Sequence, residues 1–156
     1  GTPGFRKIRR GDIVCLDFGP CYAGYFCDAA RTILVDGASE EQRKLVEFAN
    51  GLQQEIFEEV RPGSSLARIS DTMLKRIERA GYRGHVPGGG GRMVGHGVGL
   101  DIVEAWMDKV ELKPNMVIAI KTELRGFRYG GVRVEDVLIV TKRGAKPLNR
   151  APYMKN

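Results

Sequence analysis

Four side chains in this 156-residue chain have the types and positions to do chemistry together: Asp17, Asp28, His96 and Glu135. Asp17 and Asp28 stand 11 residues apart, each in or beside an expected strand, with Gly24 between them. Two strands joined by a turn can bring such a pair onto one face. His96 lies between glycines in Gly95-His96-Gly97, where the backbone can approach a ligand closely. Glu135 sits inside the apolar run 132–139, and an acid there, with Asp136 beside it, must face water, a cation or a metal. Each residue alone has a structural reading: Asp17 as a turn acid, Asp28 as the ion-pair partner of Arg31, His96 as a hydrogen-bonded core histidine. Together, three carboxylates and an imidazole form a donor set for Mn, Fe, Co or Zn. A bound metal also relieves the repulsion of gathered carboxylates.

The elements that must position these residues follow from periodicity. Residues 12–18 read as a buried strand closed by Gly19-Pro20, and 24–35 as a second strand ended by Asp36-Gly37. Ser39 and Gln42 form a capping box that opens a helix over 39–60, whose Leu45, Phe48, Leu52 and Ile56 make one apolar stripe. Arg61-Pro62-Gly63 stops it. A serine at 64 or 65 caps a second amphipathic helix that ends at Gly81. Four glycines at 88–91 precede a glycine-broken strand, Met93 to Leu100, and further strands are expected over 116–122, 127–129 and 132–141. Two strands, two helices and then an antiparallel-looking β run predict an α+β fold, with helices on one face of a curved sheet. The basic stretch from Lys142 to Lys155 reads as a solvated tail.

Motif by motif, the chain resembles a known family. Asp17-Phe18-Gly19, the segment Gly24 to Thr32, Gly95-His96-Gly97-Val98-Gly99-Leu100 and Gly131-Val132-Arg133-Val134-Glu135-Asp136 are similar, in order and spacing, to the pita-bread peptidases. These comprise methionine aminopeptidases, aminopeptidases P and proline dipeptidases, with creatinase as a non-peptidase relative. The resemblance implies a pita-bread fold and a site for two divalent metals (Mn, Co, Zn or Fe) held by two Asp, one His and two Glu. It assigns Asp17, Asp28, His96 and Glu135 to four of those five ligands. It further implies a hydrolase acting on peptide N-termini or X-Pro bonds, with metal-activated water and a carboxylate such as Glu135 moving the proton.

Two positions depart from the family pattern. The fifth ligand, a Glu five residues after the Met of a Gly-Met-Val-like segment, is Lys121 here. That admits three readings: one metal remains; no metal remains and the Lys121 ammonium replaces its charge against Asp28 and Glu135; or Lys121 points away and Glu123 ligates in its place. A His seven residues after the metal His is replaced by Val103, with Glu104 next. His96, Glu135 and Lys121 are therefore the candidate catalytic groups. Beside the hydrolase stand two alternatives: a metal-free relative with creatinase-like chemistry on a small molecule, and an inactive binding module.

Composition bounds the rest. The length suits a single domain over 1–156, and no apolar run reaches the ~20 residues of a membrane span. The net charge of +6 permits acidic partners, but no basic stripe interleaved with aromatics supports nucleic-acid binding. Cys15, Cys21 and Cys27 read as reduced thiols of a cytoplasmic protein, with Cys21 or Cys27 as further metal-ligand candidates. Family catalytic domains are built from two related α-β halves, and the resemblance implies that this chain is the C-terminal part of such a domain, incomplete at its N-terminus. The expectation is completion by a separate N-terminal half chain or by a homo-oligomer, most simply a dimer.

Overall fold

The computed structural model describes residues 4–89, 94–104 and 109–153. Eight strands and two helices follow in the order β1 (Ile13–Phe18), β2 (Cys21–Tyr22), β3 (Tyr25–Phe26), β4 (Ala29–Leu34), α1 (Glu40–Phe57), α2 (Leu66–Arg79), β5 (Gly95–Gly97), β6 (Val117–Phe127), β7 (Gly130–Val140) and β8 (Ala145–Pro147). The main sheet runs β1-β4-β7-β6-β5 with every pairing antiparallel, and β8 shares one edge of β7 with β4. The α+β expectation stands. Several boundaries move. The expected second strand divides into the β2–β3 hairpin and β4, because Ala23 and Gly24 adopt positive φ at the hairpin tip. Of the expected strand at 127–129, Phe127 ends β6 and 128–129 form the turn to β7, the two strands making one long hairpin. The glycine-broken strand shrinks to Gly95–Gly97; Met93 and the glycines at 90–91 lie outside the described residues.

Both helices cover one face of the sheet. The Ser39–Gln42 capping box forms as expected and starts α1. Leu45, Leu52 and Ile56 of α1 and Ile69, Met73 and Ile77 of α2 pack against Ile118, Ile120, Leu124, Val134 and Leu138 of β6 and β7 in one core. Gln53, fully buried on α1, links the two layers. Its Nε2 donates to Ile120 O and to Asp136 Oδ2, and its Oε1 accepts from the Thr122 hydroxyl.

Asp136 is the hub of this face. Its carboxylate accepts from Arg31, Gln53, Asn149 at 2.7 Å and the Tyr153 hydroxyl at 2.7 Å. The Arg31 guanidinium also donates to the carbonyls of Ala30, Glu135 and Ala151, and stacks over the Tyr153 ring. Arg31 is therefore the partner of Asp136, not of Asp28. The basic Lys142, Arg143, Lys146 and Arg150 are exposed as expected, while Asn149, Ala151 and Tyr153 are docked by these contacts; Lys155 lies outside the described residues. On β1 and β4, Leu16, Phe18 and Ile33 remain exposed beside this network.

Removing one member of a buried ion pair leaves the other charge uncompensated. Asp136→Ala is expected to cost about 3–5 kcal/mol of unfolding free energy, read from urea denaturation. A loss below about 1 kcal/mol, the worth of an exposed pair, would show that Arg31 and Asp136 do not hold the fold together.

Candidate metal centre

Strand register builds the site. Residues directly opposite each other in antiparallel strands share a face of the sheet. Asp17 pairs with Ala30, Ala30 with Glu135, and Glu135 with Lys121. These four residues form one transverse row across β1, β4, β7 and β6, on the face away from the helices. The neighbouring row carries Cys15, Thr32, Arg133 and Glu123. On the other side, Val137 pairs with Ala119 and Ala119 with His96. The buried Ala30, between two acids in its row, has no side chain long enough to fill the space between them. Gly95 lets β5 approach β6: a Cβ there would lie 2.2 Å from Ala119 O. That contact brings His96 down onto the sheet.

Asp28, His96 and Glu135 converge. One donor atom from each lies within 4.8 Å of the others, and all three residues are buried. His96 Nε2 is 3.3 Å from Asp28 Oδ2 and 3.7 Å from Glu135 Oε1. His96 Nδ1 lies 3.1 Å from Gly97 O, and since a carbonyl only accepts, Nδ1 carries the hydrogen and Nε2 faces the carboxylates. Glu135 Oε1 is fully buried and has no hydrogen-bond partner among the described residues. An orphaned carboxylate oxygen beside an imidazole nitrogen and a second carboxylate is a donor set that fits a borderline divalent cation.

The remaining candidates stand differently. Asp17 is on the same face but outside this cluster; its carboxylate pairs with Arg133 Nη1 at 2.8 Å. Arg133 also donates to Glu135 Oε2 through Nε, at 2.9 Å, and through Nη2. The expected ion pair of Lys121 with Asp28 or Glu135 is absent: no described carboxylate lies within 4.0 Å of its ammonium. Arg133 is the cation among these acids, and sequence reasoning missed it. Its position two residues before Glu135 on an alternating strand was the available signal. Glu123 does not join the cluster either; it pairs with Arg125. Glu104, beside Val103, accepts from the Leu100 amide and closes the turn after β5. Cys21 and Cys27 are free thiols outside the cluster.

Charge environment follows from this packing. Burial alone pushes the His96 pKa down, but the Asp28 and Glu135 carboxylates facing Nε2 outweigh it and hold the imidazole up to about 9. Burial raises the Asp17 carboxyl above its usual range, and Arg133 only partly opposes it, because Glu135, Asp28 and Glu123 add repulsion. Burial works against the charged Arg133 guanidinium, yet Glu135 and Asp17 hold its pKa above the ordinary value.

Strand order, helix layer and a buried Asp-His-Glu set together define an α+β fold that carries a candidate metal centre on the open face of its sheet. The profile of metallopeptidase family M24 matches residues 1–142, and the chain belongs to that family. The Xaa-Pro dipeptidase of Pyrococcus furiosus is 34% identical over 154 residues, covering 96% of this chain and 43% of that protein. The crystallised prolidase of P. furiosus superposes with a TM-score of 0.88 at 33% identity, over 96% of this chain and 44% of its own. Escherichia coli aminopeptidase P, at 23% identity, TM-score 0.79 and coverage of 92% and 39%, shares the fold. The fold is thus the pita-bread fold. The chain spans less than half the length of these relatives.

The sign of the His96 shift sets a pH dependence. A folded-state pKa of about 9 against an ordinary 6.5 means the imidazolium is stabilised by folding. In chelator-treated protein that contribution is complete below pH 6.5 and is lost as pH rises through 9, amounting to about 3 kcal/mol at most. The urea midpoint should fall across this window, and His96→Gln should flatten the fall. A midpoint that rises between these pH values would contradict the assignment.

Proposed function

We propose that this chain is the metal-binding, C-terminal part of a prolidase-like hydrolase acting on peptide N-termini or X-Pro bonds. The observation that carries this reading is the buried Asp28–His96–Glu135 cluster with its orphaned Glu135 oxygen. Relatives named Xaa-Pro dipeptidase support the substrate class. A divalent cation at this cluster, with manganese our first choice, supplies Lewis-acid polarisation of a carbonyl and acidified water.

The protein's own groups do the rest. Gly97 O fixes the His96 tautomer and aims Nε2 at the cation position. Asp28 and Glu135 supply hard oxygen donors, and Glu135 is the candidate to hold and return a proton. Arg133 orients the second Glu135 oxygen and restrains Asp17, the remaining ligand candidate. With Lys121 in the row where the family pattern places a Glu ligand, we propose one metal rather than two.

A single domain over 1–156 in the cytoplasm is the setting we propose. The exposed Leu16, Phe18 and Ile33 support association with a second copy or with a separate N-terminal half chain, which would complete the substrate pocket. A second reading draws on Lys121, which pairs with no carboxylate among the described residues, and on the embedded Arg133: a metal-free relative with creatinase-like chemistry on a small molecule, or an inactive binding module.

Elemental mass spectrometry of the purified protein separates the readings, with about one equivalent of a divalent metal expected under this stoichiometry. Lys121→Glu should raise metal content toward two equivalents and increase hydrolysis of an X-Pro dipeptide. No bound metal in either protein after manganese loading would favour the second reading.

A further inference from the structure

The two carboxylates of the metal centre stand on opposite sides of one seam, Asp28 leading into β4 and Glu135 within β7. Side chains hold much of that seam. Among the described residues the register pairs β4 with β7 at one position, Ala30 with Glu135. At that pair Arg31 Nη1 donates to both carbonyls, to Ala30 O at 2.8 Å and to Glu135 O at 2.9 Å. Two positions along, the Thr32 hydroxyl donates to Arg133 O and accepts from Arg133 N, both at 2.9 Å, where a regular ladder would use backbone groups. The width of the seam therefore depends on where the Arg31 guanidinium is held.

The segment 149–153 holds it. Arg31 Nη2 donates to Ala151 O at 2.8 Å, Nε donates to Ala151 O and Pro152 O at 3.2 Å each, and the guanidinium carbon lies 4.4 Å from the centre of the Tyr153 ring. The same segment is fastened to β7: Asn149 accepts from Val137 N and donates to Asp136, and the Tyr153 hydroxyl donates to Asp136. It straps β4 to β7 on one face of the sheet, while Asp28, His96 and Glu135 meet on the other. We propose that Asn149 and Tyr153 are positioning residues for the metal centre: by holding Arg31 and Asp136 they fix the separation of the Asp28 and Glu135 carboxylates, and so set the affinity for a divalent cation. The inference rests on the reading of that cluster as a metal site. Loss of partners that orient metal ligands from behind typically weakens metal binding by roughly 10–100-fold.

The probe is cobalt(II), titrated into the chelator-stripped full chain by calorimetry and followed by its visible absorption, which reports the coordination geometry. Tyr153→Ala should weaken cobalt binding by roughly tenfold or more and alter the absorption band. Tyr153→Phe keeps the ring over Arg31 and should recover most of the affinity. Arg31→Lys keeps a cation beside Asp136 but cannot bridge two carbonyls and reach the segment, so it should weaken cobalt at least as much as Tyr153→Ala. Ile77→Val loosens the core far from the seam and should leave cobalt affinity within about twofold. Thermal unfolding establishes that each variant is folded at the temperature of the titration; should Arg31→Lys not fold, the two Tyr153 variants decide. Wild-type affinity and absorption in folded Tyr153→Ala would overturn the proposal and leave the metal-centre reading standing. An equal loss in Ile77→Val would overturn it too, since that marks general loosening, and so would no recovery in Tyr153→Phe. Wild-type protein that binds no cobalt, or binds it undiminished after His96→Ala, would overturn the proposal together with the reading beneath it.

Discussion

Two adjacent carboxylates, Glu135 and Asp136, are both almost fully buried, and the pleat of β7 sends them to opposite faces of the sheet. The two faces treat them differently. Asp136 is surrounded by donors from β4, α1 and residues 149–153, so its charge is compensated in full view of the core. Glu135 receives Arg133 on one oxygen and keeps the other without a hydrogen bond. The first arrangement sets the position of the second. Arg31, held by Asp136, also grips the carbonyl of Glu135, so the strand cannot slide or rotate without breaking a buried ion pair. A one-residue slip would exchange the two acids, placing the satisfied one in the cleft and the unsatisfied one in the core.

The opposite face is organised by charge alternation along short rows. From β1 to β6 the row through Glu135 reads acid, alanine, acid, cation, and the next reads thiol, hydroxyl, cation, acid. Arg133 lies diagonally between Asp17 and Glu135 and pairs with both, offsetting one of their two charges. That arrangement explains how three acids can sit together without Lys121 turning toward them. The lysine changes the charge of its row by two units relative to a glutamate, but the neutralising contact is made by another residue.

Much of this was legible in the sequence. The capping box at Ser39 and Gln42 is a local, stereochemical signal, and it starts α1 where expected. Asp28, His96 and Glu135 were recognisable because each lies in a motif whose order and spacing survive in one dimension. What the sequence did not reveal depends on register. Arg31 lies three residues from Asp28, and proximity along the chain suggested that pair; the antiparallel contact of β4 with β7 instead delivers it to Asp136. Lys121 was assigned to the right strand, yet the path of a long side chain from its Cα is decided by neighbouring packing. Arg133 stands two residues from Glu135, but its second partner, Asp17, lies two strands away, and only the register of β1, β4 and β7 brings it there. The docking of residues 149–153 had no periodic signature and rests on single contacts from Asn149 and Tyr153.

His96 differs from the other two members of its cluster in how it is held. Glu135 belongs to a central strand, and Asp28 leads directly into another. His96 belongs to β5, three residues long, at the edge of the sheet and paired with β6 alone. Opening a short edge strand breaks fewer backbone bonds than opening a central one, so β5 stands lower on the local-unfolding scale than β7. The imidazole can therefore leave and rejoin the carboxylates while the sheet stays intact. Loss of the β5–β6 pairing would free His96 alone, whereas freeing Glu135 would require opening β7 at the centre of the sheet.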